Sequence, residues 1–188
     1  MSFKRAAIRR ERKEKERIMK SKAINADLLR AEQIGFENGK TISICIILDC
    51  LHELGWNVEK LQEYTESIMQ QSLNTAPEII NIAIGPWQRV LEERIKEFGE
   101  MPRMVVNTTI KKIEYDSRNS SYINMCAFGF LNLYSNFNMN SNKKQTGKLD
   151  MVISECTKTF FEMMKEPQKY DSIECIKRTE LLTGYTFT

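Results

Sequence analysis

Proline occurs four times and glycine eight times in 188 residues, so little in this chain forces turns and long helices are allowed. Histidine occurs once, at His52, which leaves no second imidazole for a shared site. Five cysteines (Cys45, Cys50, Cys126, Cys156 and Cys175) form no Cys-x-x-Cys pair, so the short-spaced ligands of a zinc site are missing. Their odd number and apolar helical surroundings point to buried, reduced thiols. No apolar run approaches the roughly 20 residues of a membrane span. The longest, at 42–50, is interrupted by Ser43 and Asp49. The first 22 residues start charged but lack an apolar segment, so they do not read as a secretory signal, and the cytoplasm is the expected compartment. Gly-x-Gly-x-x-Gly, Gly-Lys-Ser or Gly-Lys-Thr phosphate loops and Gly-x-Ser-x-Gly are all absent. The expectation is a protein that is not an enzyme and takes no cofactor or metal.

What is present is charge, unevenly placed. Residues 1–22 hold ten Lys or Arg against three acidic side chains, a net +7. The other 166 residues hold 18 Lys or Arg against 22 acidic residues, a net −4. A basic arm on a mildly acidic body implies an anionic partner for the arm. Residues 2–30 contain neither Pro nor Gly and read as continuous helix. At about 100° per residue, Arg5, Arg9, Arg10, Arg12, Lys13, Arg17 and Lys20 fall within one broad arc, with Glu16 the exception. Ala7, Ile8, Ile18 and Met19 form a thin stripe roughly opposite.

Three readings of the arm stand side by side. It is a solvated extension, a contact to nucleic acid or a nucleoprotein, or a helix on an anionic membrane. Arg and Lys neutralise phosphates and release counterions, which favours nucleic acid. The weak apolar stripe, anchored only by Phe3, speaks against a membrane. The seven cations of the arc are the candidate nucleic-acid-binding residues, and self-association of the chain is left open.

The body carries a faint duplication. Sliding the chain by 81 residues lays 32–45 over 113–126, so that Ile42 meets Ile123 and Cys45 meets Cys126. The same offset lays Trp56-Asn57-Val58 over Phe137-Asn138-Met139. This suggests two helix–turn–helix hairpins packed as a mainly α-helical bundle, with a basic helical arm at 1–22, a first hairpin plus connector helices at 23–99, and a second hairpin and tail at 100–188. Helices are predicted near 4–34, 40–54, 58–74, 77–84, 87–98, 120–134 and 148–165, with a short one at 169–182. Gly55 is placed to end the helix before it, Trp56 to pack across the corner and Asn57 to cap the next. Met69 is expected on the buried face of 58–74, and Ile79, Ile80, Ile82, Ala83 and Ile84 are expected to bury the helix that Gly85-Pro86 breaks. The stretch 104–113 fits strand by its β-branched residues and helix by the repeat, and helix is preferred. Residues 135–148 are expected to be a polar loop exposing Lys143 and Lys144.

The remaining polar clusters read as structural. Asp49, His52 and Glu53 share a helical face, but the matching positions of the second copy are Phe130, Leu133 and Tyr134, so half of a two-helix metal site is missing. A nucleophilic pair of His52 with Cys45 or Cys50 has no support. Tyr and Phe interleaved with Asn at 122–137 suit a base-stacking platform or a half-buried core stripe, the latter preferred. Lys177-Arg178 reads as a solvated helix end.

The stretch ISICIILDCLHELGWNVEKLQEYTESIMQQ (42–71) resembles small helical proteins of Firmicutes phages and mobile elements, with an apolar helix, a Gly-aromatic turn and a short amphipathic helix after a basic N-terminus. The stretch covers about a sixth of the chain. It implies a non-enzymatic interaction protein, of the kind that includes anti-CRISPR inhibitors of host defence. The alternative is a stand-alone DNA- or RNA-binding regulator.

Overall fold

The computed structural model describes the backbone of residues 2–100, 108–139 and 143–187, with side chains at 13 and from 17 onward within those ranges, except 143–146. Six helices and one 3-10 turn make up these residues: α1 Ser2–Glu53, α2 Val58–Asn74, α3 Pro77–Glu97, α4 Thr109–Ser135, α5 Lys143–Lys165, the turn Pro167–Lys169, and α6 Ser172–Thr183. The mainly α-helical fold expected from composition is what forms, and no strand occurs among the described residues.

The central feature is a pair of parallel helices, α1 and α4. Gly35, Gly39 and Ile47 of α1 meet Glu114, Arg118 and Gly129 of α4 in the same chain order. Ser117 Oγ donates to the Glu32 carbonyl and Ser121 Oγ to the Phe36 carbonyl, both at 2.7 Å and both across 85 residues. That spacing lies close to the offset of 81 seen in the sequence. A Cβ on Gly35 would overlap the Glu114 carbonyl oxygen, and one on Gly39 the Arg118 carbonyl oxygen. Two glycines four residues apart therefore let the backbones approach more closely than any side chain allows.

This contact corrects the expected break between helices at 34 and 40. Each glycine weakens an isolated helix by about 1 kcal/mol, but here both sit on the buried side of α1 and their smallness is the packing surface. The helix runs unbroken for 52 residues. Its axis spans about 78 Å at the usual rise.

Both members of the pair end at the same place. Gly55, at φ +87°, turns the chain out of α1 as expected, and the Asn57 side chain caps α2 by accepting from the Lys60 N–H at 3.2 Å. Trp56 packs across the corner with its ring 5.3 Å from that of Phe137, which follows α4, and 6.2 Å from Tyr64. The two aromatic residues that the repeat aligned thus lie together. The hairpins do not close on themselves. α2 leans on α4, where Asn132 Nδ2 donates to Ser67 Oγ at 3.0 Å and to Gln71 Oε1 at 2.9 Å. α5 lies against α1, α3 and α4. Residues of both halves share one core, from Ile42–Leu51 through Tyr122–Leu133 to Leu149–Met163.

The connectors differ from expectation. Gly85-Pro86 does not break the chain into two helices; α3 is continuous with Pro86 inside it. Pro86 is on the exposed side, and Ile82, four residues earlier, is 79% exposed, so the carbonyl left without a donor faces water. Trp87 anchors the segment, 5.3 Å from Tyr134 and 6.4 Å from Phe130. The second hairpin starts earlier than 120, at Thr109, where Thr108 Oγ1 accepts from the Lys111 N–H at 3.2 Å. The end of the ambiguous 104–113 stretch is therefore helix, while 104–107 lie outside the described residues. α5 begins at Lys143, inside the expected loop. The side chains of Lys143 and Lys144 lie outside the described residues. α6 begins at Ser172, capped by Asp171, and stops at Gly184.

Candidate nucleic-acid interface and an apolar groove

Ala31 is the first buried residue of α1. Lys13 and every residue of 17–30 are exposed, apart from a half-buried Leu28. The helix thus enters the body near position 31 and carries what precedes it clear of the core. Among the seven predicted contact residues, Lys13, Arg17 and Lys20 are exposed on this helix. Arg5, Arg9, Arg10 and Arg12 belong to its backbone, and their side chains lie outside the described residues. The arc that carries these cations is also the side that α1 turns to α4 further along. By the same 100° step, Arg9, Lys13, Arg17 and Lys20 line up with Ala31, Gly35 and Ile42. The stripe is apolar and small where α4 covers it, and cationic before α4 begins.

The clusters examined for chemistry dissolve into structure. Asp49 Oδ2 accepts from Arg178 Nη2 at 2.8 Å, so Arg178 ties α6 to α1 instead of ending a solvated helix. His52 is exposed, with Nδ1 3.3 Å from the Trp56 carbonyl oxygen. Among the described residues no group of three or more His, Cys, Asp or Glu is placed to hold a metal ion. All five cysteines are buried and free. Burial pushes the Cys45 thiol up to about 12. Burial also raises Cys50, Cys156 and Cys175. Thiols held protonated in this way are poor nucleophiles. Tyr122 and Phe130 are fully buried, which makes the aromatic run of 122–137 a core stripe; Tyr122 Oη donates to the Cys156 carbonyl at 2.9 Å.

Among the described residues, one buried cation has no carboxylate partner. Arg118, on α4, donates through Nη1 to the Pro167 carbonyl at 2.7 Å and through Nη2 to the Met163 carbonyl at 3.5 Å. Its guanidinium lies over the Tyr115 ring, 4.8 Å from the centroid. Burial holds its pKa below the usual guanidinium value. It therefore sits where the carbonyls at the end of α5 leave negative partial charge. The sequence reading missed this residue, since in sequence it is one more exposed-looking cation.

The reading also missed a groove. α2 and α3 diverge over the α1–α4 pair and leave a half-open cavity of about 610 Å³. Phe36 and Ile44 of α1 and Met125 and Phe128 of α4 form its floor; Ile68 and Met69 of α2 and Ile80 and Ile84 of α3 form its sides. Tyr185 and Phe187 of the tail close one end, with Tyr185 Oη 3.1 Å from Thr65 Oγ1. Met69 is 61% exposed, and Ile79 and Ile82 are more than half exposed, so these residues are corrected from the core to the surface. Met69 borders the side that the splay of α2 and α3 leaves open, whereas Ile79 and Ile82 lie outside the groove, on another side of α3 from Ile80 and Ile84. Among the described residues no helix is long and apolar enough to cross a membrane.

No protein-family model, curated protein or solved structure matches the chain.

Proposed function

We propose that this chain works by binding, and that the cationic stripe of α1 contacts nucleic acid or a nucleoprotein. The observation that carries the reading is the unbroken helix. It presents Lys13, Arg17 and Lys20 in water, away from the body, on a side of the rod that α4 no longer covers. A helix with cations at i, i+4, i+8 and i+11 along one side matches a row of phosphates without needing any base contact. The body, net negative, repels the same phosphates and leaves the arm as the point of approach.

The biological role that fits the phage-like stretch 42–71 is inhibition of a host defence effector, in the manner of anti-CRISPR proteins, encoded on a phage or mobile element. The alternative is a regulator that uses the same stripe on naked DNA or RNA. The experiment is a titration of labelled duplex DNA, duplex RNA and single strands with the full chain across a salt series, repeated with a CRISPR effector–guide complex. With four to seven of the cations engaged, log affinity should fall with log salt by about 0.9 for each contact on duplex DNA. Arg9→Glu, Lys13→Glu and Arg17→Glu together should remove most of the binding. Tight binding to naked nucleic acid at physiological salt favours the regulator. Binding that needs the effector complex favours the inhibitor. Unchanged binding in the triple variant sinks both.

A further inference from the structure

We propose that the groove between α2 and α3 seats the first helix of a second copy of this chain, so that two copies exchange arms. Two unsatisfied surfaces motivate it. The described part of the arm exposes Ile18, Met19, Ile24 and Leu29, between 49% and 68%. Ile18 and Leu29 are eleven residues apart, about three turns, so they share one side of the rod. That side also carries Phe36, which is half exposed at the groove. The groove itself is apolar, and its volume of about 610 Å³ is enough for several large side chains.

Charge points the same way. Of the cations in residues 17–30, Lys22 adjoins the Ile18–Leu29 side, whereas Arg17 and Lys20 belong to the opposite arc and take no part in the contact. The two helices flanking the groove carry seven glutamates against four cations, a net −3. Glu66 stands on the groove wall and Lys40 opposes it there as the local cation. On the helical wheel Lys22 adjoins the Ile18–Leu29 side, so apolar contact and ion pairing can be made together.

A chain cannot fill its own groove. α1 is a single rod, and Ile18 lies about 39 Å along it from Ile44 on the groove floor. The occupant must come from another molecule. Because each copy has one arm and one groove, reciprocal exchange closes as a two-fold dimer, whereas one-way docking propagates. Docking uses the side of the arm roughly opposite the cationic arc, so it does not depend on the nucleic-acid reading and leaves Arg17 and Lys20 free.

The test is the mass of the full chain by analytical ultracentrifugation, without nucleic acid, from micromolar to submillimolar concentration. The expected species is a dimer that weakens with salt. Ile18→Glu with Leu29→Glu disables the arm, and Met69→Arg disables the groove; all three positions are exposed, so the fold is spared. Each variant alone should be monomeric or dimerise more weakly by about tenfold or more. Mixed, they should form a one-to-one heterodimer through the one intact arm–groove pair. A full chain that stays monomeric overturns the proposal. So does a dimer that survives in either variant, which would place the interface elsewhere, or a mixture that fails to associate, which would point to arm–arm pairing.

Discussion

At the scale of single residues, the glycines of α1 decide more than its charges. Gly35 and Gly39 are the points where α1 and α4 touch backbone to backbone. Gly35→Ala or Gly39→Ala should therefore cost about 2 kcal/mol or more, because the obstacle is a carbonyl in a helix and not a movable side chain. Gly147→Ala in α5, where nothing lies within 4 Å of the added Cβ, should instead stabilise by a few tenths to about 1 kcal/mol. Urea unfolding of the three variants checks both signs. The buried thiols make a separate prediction. Burial raises the Cys45 pKa from about 9 to about 12 and raises Cys50, Cys156 and Cys175 in the same direction. The native state then holds protons that the unfolded chain has begun to release. The stabilisation is complete below about pH 9 and is lost as pH rises through the range up to about 12. Unfolding midpoints in urea should hold steady up to about pH 9 and then fall. A midpoint that stays flat to pH 11 would mean that the thiols are not in dry surroundings.

At the scale of elements, α1 is two things joined without a break. Its C-terminal part is core, with Ile42, Cys45, Leu48 and Leu51 fully buried, while 17–30 is almost wholly exposed. Deleting residues 1–22 should leave the cooperativity of unfolding intact and change stability by less than about 1 kcal/mol, since surface positions away from caps and core contribute little. A large loss of stability would show that the arm packs on the body. α3 teaches a related lesson. Its Gly85-Pro86 pair has the composition of a helix end, yet the helix continues, because Trp87 is held against Phe130 and Tyr134 on one side and Pro86 faces solvent on the other. Local propensity is worth about 1–3 kcal/mol at such a point, and packing of a large aromatic residue is of the same size.

At the scale of the molecule, a rod projects from a bundle. A compact chain of 188 residues has a radius of gyration of about 16 Å. Small-angle scattering of dilute protein should give a clearly larger value, and removal of 1–22 should bring it close to the compact one. Equal values for the two forms would mean that the arm folds back. The bundle is organised by the parallel α1–α4 pair, with the corners of both helices meeting at Trp56, Tyr64 and Phe137. α2 and α5 then return along the partner helix as much as along their own, so neither half of the chain holds a core of its own.

The sequence by itself determined what depends on composition and short-range order. The helical class follows from scarce Pro and Gly and from good helix formers. The corner at Gly55-Trp56-Asn57 follows from a left-handed glycine and a capping side chain. The charge of the arm follows from counting. Tertiary structure alone decided whether Gly35 and Gly39 end a helix or join two, because a glycine is weak in isolation and unmatched where backbones must touch. It decided that Met69, Ile79 and Ile82 face water, since an apolar side chain on a helix does not say whether a partner arrives to cover it. It also placed Arg118 in the core, because the carbonyls that hold its guanidinium come from residues 45 and 49 positions further along the chain, a relation no local pattern carries.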